Sequence, residues 1–103
     1  MMLRLKPGVR LHPSYAIATL LVAAADVFRP ADLTITSGID GKHMEGSLHG
    51  KGLALDFSTH HLPLGEKDRV VTELRQALGP DYDILLELLG EPNEHLHVEY
   101  QPK

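Results

Sequence analysis

The sequence predicts a small α+β domain: a mainly antiparallel sheet of about four strands with two helices packed on it. Three observations lead there. The 103 residues suit one domain, and 43 % apolar with 23 % charged is ordinary for a globular chain. Two segments repeat their apolar residues at helical spacing. Four short β-branched or alternating runs surround the second of them, with short links. Residues 1–103 therefore read as a single domain.

Leu3 to Leu11 alternates loosely about Pro7-Gly8 and is expected to be an extended arm with a turn. Pro13-Ser14 opens a run in which Tyr15, Ile17, Ala18, Leu21, Val22, Ala25 and Phe28 recur at helical spacing. A helix is predicted from Pro13 to about Arg29, stopped by Pro30, with its Ala-rich stripe in the core. Leu33–Ser37 is β-branched and short, a strand. Gly38 to Gly52 is rich in glycine and polar residues, a long loop. Leu53–Ser58 is a second strand. Leu64-Gly65-Glu66 leads into a second helix, with Val70, Val71, Leu74, Ala77 and Leu78 on one face and Gly79-Pro80 at its end. Tyr82–Leu88 is a third strand and Gly90-Glu91-Pro92-Asn93 a turn. His95–Gln101 alternates as a fourth strand. No internal repeat or low-complexity segment is present.

Charge and composition exclude several functions. Ten basic against fourteen acidic residues leave a net charge of −4, the wrong sign for neutralising nucleic-acid phosphates. The aromatic residues are scattered rather than set as a stacking series. No apolar run approaches the roughly 20 residues of a membrane span; the longest, Ala16–Ala25, is interrupted by Thr19. Met1-Met2-Leu3-Arg4 lacks a signal-peptide core, so synthesis is expected in the cytoplasm. Any action outside the cytoplasm would then need another agent for release. The chain has seven histidines and no cysteine, which excludes disulfides and a thiol nucleophile. A transition metal would have to be held by His, Asp and Glu.

The histidines cluster in two stretches. In Ser47–Asp56, His49 lies on the loop entering the second strand and Asp56 lies seven residues on. Gly50 and Gly52 permit a bend that brings the two together. Asp56, flanked by Leu55 and Phe57, calls for a cation or metal; alternatively it faces water while His49 bonds within the loop. In Glu94–Glu99, His95, His97 and Glu99 share one strand face. That face presents imidazole to a metal or substrate, or else is the solvated side of an edge strand. Glu94 precedes the strand, at its mouth.

Taken together, Ser-x-His-x-x-Gly-x-Ala-x-Asp followed by Glu-x-x-His within His-x-His-Val-Glu resembles the zinc D-Ala-D-Ala carboxypeptidases. It is similar also to their relatives, the L-alanyl-D-glutamate endopeptidases of phage lysis and the hedgehog signalling domain, and shares a His…Asp…His-x-His plan with lysostaphin-type enzymes. The resemblance covers Thr36 to about Tyr100. It implies a hedgehog/D,D-peptidase-like fold, a Zn2+ ion held by His49, Asp56 and His97, and a peptidoglycan stem peptide as substrate. It further implies Glu94 as general base on a zinc-activated water and His95 beside the developing oxyanion. Two imidazoles and one carboxylate would leave zinc an open position and a net charge of +1, suited to polarising an amide. Many relatives carry Ser-Gly-Tyr-Arg at the end of the first strand, with the Arg on a substrate carboxylate; here the run is Ser37-Gly38-Ile39-Asp40. Lys42 or His43 is the expected substitute, as a point charge rather than a bidentate clamp. Ser47 contacts substrate or the loop.

His60-His61 are expected in an exposed turn, and His12 as a flank of the first helix. Glu87 and Glu99 either orient histidines or sit on a solvated edge. The expected protein is a monomeric zinc peptidase without nucleic-acid or membrane-spanning character. The alternative is a non-catalytic, zinc-stabilised binding or virion module of the same fold.

Overall fold

Ser14 starts the first helix. Its hydroxyl accepts the Ile17 N–H at 3.2 Å, satisfying a donor that the first turn would otherwise strand. The computed structural model, which describes residues 2–12, 14–38 and 53–103, places helix α1 at Tyr15–Phe28 and α2 at Leu64–Leu78. The strands are β1 (Leu3–Leu5), β2 (Leu33–Ser37), β3 (Ala54–Ser58), β4 (Tyr82–Glu87) and β5 (His95–Tyr100). They form one five-stranded sheet in the order β1-β2-β3-β5-β4, antiparallel except for the parallel pair β1–β2. The molecule is thus a small α+β domain with a mixed, mostly antiparallel sheet.

The expected arm at the N-terminus is corrected: Leu3–Leu5 is a fifth strand. Leu33 N–H donates to Met2 O and Lys6 N–H to Ile35 O, each at 2.9 Å, so the strand is held from both ends. Parallel pairing needs a crossover, which α1 supplies. All three β1 side chains are exposed, with Leu3 at 53 % and Leu5 at 47 %. No buried face marks it as a strand in the sequence. Gly38 closes β2 where the chain runs past Arg10. A Cβ there would meet Arg10 O at 2.2 Å, so only glycine allows this approach.

The buried stripe of α1 is also rotated from its expected face. Ile17, Leu20, Ala24, Val27 and Phe28 are buried, whereas Tyr15 and Val22 are 90 % and 73 % exposed. On α2, Val70 and Leu74 are buried. Both helices cover the same side of the sheet, where they meet Leu33, Ile35, Leu55, Phe57, Ile84, Leu96 and Val98. The Phe28 and Phe57 rings lie 6.0 Å apart, tilted by 47°. Burying each such side chain contributes roughly 1.5–3 kcal/mol. Arg69 ties the helices together: it donates to Val27 O at the end of α1 and pairs with Glu66 and Glu73 on its own helix. Alternation then sends Thr34, Thr36, Asp56, Ser58, Glu87, His95, His97 and Glu99 to the opposite sheet face. No helix among the described residues is long and apolar enough to cross a membrane.

Candidate functional site

The polar face gathers its chemistry by strand register. Asp56 on β3 is paired with His97 on β5, and Ser58 with His95. Across the other edge of β5, Glu87 on β4 is paired with His95. Asp56 Oδ1 is 2.8 Å from His97 Nδ1, and Glu99 Oε1 is 2.9 Å from His97 Nε2. A carboxylate only accepts, so two carboxylates facing the two ring nitrogens favour the protonated form of His97. Its pKa is accordingly raised, chiefly by the bond to Asp56, with burial opposing. The question of how Asp56 sits between two apolar neighbours is answered by alternation: Leu55 and Phe57 point to the core and Asp56 to the polar face.

His95 is fixed at both nitrogens, Nδ1 against Asn93 O at 2.9 Å and Nε2 against Glu87 Oε1 at 3.1 Å. Its Nε2 is 3.9 Å from Asp56 Oδ2. Both carboxylates that the sequence left open, Glu87 and Glu99, therefore orient histidines.

Glu94 is arranged differently. It shares the parity of Leu96 and Val98, the helix-covered side, and is only 3 % exposed. Lys67 of α2 reaches both its oxygens, at 2.9 and 2.8 Å. Gly90 N–H donates to Oε1 at 2.9 Å, and the Thr59 hydroxyl donates to Oε2. These donors, the Gly90 amide foremost, lower its pKa to about 2 against the opposing effect of burial. Its carboxylate thus pins the β4–β5 turn to α2, although the residue also borders the cleft described next.

A cleft of about 390 Å³ opens on the polar face. Its walls are Asp56, Ser58 and His95 from the sheet, Pro92, Asn93 and Glu94 from the β4–β5 turn, and Lys6, Thr36, Ser37 and His60. Of these, sequence reasoning named only Asp56, Glu94 and His95 as site residues. His60 was legible from its place two residues past β3; Lys6 was not, because β1 had no apolar signature. A larger hollow of about 620 Å³, between Arg75 and Glu99, has no histidine in its lining. His61 is structural: Nε2 lies 2.7 Å from Asp32 O and its ring lies against Phe28.

The expected ligand His49, the expected substrate contacts Lys42, His43 and Ser47, and Asp40 all lie outside the described residues. Among the described residues no three or more His, Asp or Glu side chains are set to hold a metal. Asp56 and His97 are two of the three expected ligands, and they converge. One imidazole and one carboxylate, part-buried and in contact, are chemically a fit to zinc.

Fold and site define an α+β domain with an Asp–His pair on the polar face of the sheet. No protein-family model and no curated protein matches this chain.

Proposed function

We propose that this domain hydrolyses an amide bond in a peptidoglycan stem peptide, using a zinc ion held by His49, Asp56 and His97. The observation that supports the reading is the Asp56–His97 contact, 2.8 Å across paired strands, with Asp56 on the wall of a cleft of about 390 Å³. Zinc would supply a Lewis acid for the scissile carbonyl and lower the pKa of a water molecule. The chain's own residues do the rest. Asp56 brings the negative charge and His97 the imidazole, which must give up a proton to become a ligand. His95 borders the cleft and donates to the oxygen that gains charge during attack once its Nε2 leaves Glu87, while Asn93 keeps hold of Nδ1. Glu94 takes the proton of the attacking water and passes it to the leaving nitrogen. Held at about 2, it is a weak acceptor at neutral pH, so one of its donors must withdraw first.

That same engagement of Glu94 favours a second reading: a zinc-stabilised module of this fold that binds without cutting. The two separate in one experiment. Amino groups released from purified cell wall are measured for zinc-loaded wild type and Glu94→Gln, with metal content determined on both. Hydrolysis predicts release by wild type and a loss of about 100-fold or more in the variant. Equal inertness with one zinc per chain supports the binding module. Failure of either protein to retain zinc after dialysis rejects both.

A further inference from the structure

One cation on the cleft wall is used by neither reading. Lys6 lines the cleft, and no other described Lys or Arg does. Arg4, Lys67, Arg69 and Lys103 each pair with a carboxylate. The Lys6 ammonium has no such partner among the described residues.

Its position follows from register. Leu5 is paired with Ile35, and Lys6 N–H donates to Ile35 O, which sets Lys6 beside Thr36. Ser37 is paired with Asp56, and Asp56 with His97. Lys6, Thr36/Ser37, Asp56 and His97 therefore run in one line across the sheet, perpendicular to the strands. Adjacent strands are about 4.8 Å apart, so the β1 backbone lies roughly 10 Å from that of β3. A side chain of lysine length spans part of that gap. Lys6 and the two hydroxyls thus line the cleft to one side of Asp56, and His97 is paired with Asp56 on its other side.

We propose that Lys6 is the anion-recognition residue of this cleft: it takes a carboxylate of a peptide ligand, with the Thr36 and Ser37 hydroxyls donating beside it. The carboxylate then lies within about one residue of the amide presented to Asp56 and His97. This rests on reading the cleft as a peptide site but not on hydrolysis.

The test is calorimetric binding of acetyl-D-Ala-D-Ala and of its C-terminal carboxamide to the full chain, with wild type, Lys6→Met and Lys6→Arg. Wild type should prefer the free acid by about tenfold, the worth of one charge-assisted contact. Lys6→Met should bind both alike and Lys6→Arg should keep the preference, with melting temperatures unchanged because Lys6 is exposed. A preference that survives Lys6→Met, or a wild type that binds neither peptide or both equally, overturns the proposal. Loss of wall cleavage with the preference intact would instead reject hydrolysis alone.

Discussion

Glu94 and His97 stand three residues apart in different surroundings: Glu94 is buried among Lys67, Gly90 and Thr59 at the edge of the cleft, and His97 is part-buried between Asp56 and Glu99. Glu94 is a buried charge that its donors hold ionised. Its folded pKa of about 2 lies below its ordinary 4.5. The stability it contributes is therefore present above pH 4.5 and lost as the pH falls toward 2. Glu94→Gln should destabilise the protein by roughly 3 kcal/mol at pH 7, since it leaves the Lys67 charge uncompensated. In urea titrations the gap to wild type should narrow steadily below pH 4.5. A gap that stays constant down to pH 2 contradicts the network. The Asp56–His97 partnership came from the resemblance alone: alternation grouped His97 with His95 and Glu99, while the register that pairs β3 with β5 is not written in spacing. The engagement of Glu94 was not legible: the sequence placed it at the mouth of the strand, and Lys67 and Thr59 come from distant elements that spacing does not connect.

Among the elements, α1 shows how far periodicity reaches. Existence, length and the stop at Pro30 were readable, yet an Ala-rich helix has small side chains nearly all round, so its buried face was ambiguous by a fraction of a turn. Packing settles it: Leu20 is fully buried and Val22 is 73 % exposed. Leu20→Ala should cost roughly 2–5 kcal/mol and Val22→Ala within about 0.5 kcal/mol. Chemical denaturation of the pair checks this, and equal costs would place the stripe wrongly. Strand β1 was illegible for a different reason. An edge strand with every side chain exposed earns its place through backbone bonds to β2, and hydropathy does not record those.

For the whole molecule, one side of the sheet bears both helices and the core, and the other bears the polar site. A metal bound only by the folded state stabilises it by mass action. Zinc at 1,000 times its dissociation constant should add about 4 kcal/mol. Melting temperature should rise on zinc addition and return with chelator, and His97→Ala should abolish the response. No shift in wild type would reject the metal site outright.

The division of the sheet into two faces has a consequence for how this protein can change. Along β5, neighbouring positions have different surroundings: Leu96 and Val98 pack in the core, while His95, His97 and Glu99 lie on the polar face. The polar face is accordingly carried on a strand whose packing partners lie on the other side of the sheet, so a change at 95, 97 or 99 meets polar neighbours and not Leu96 or Val98.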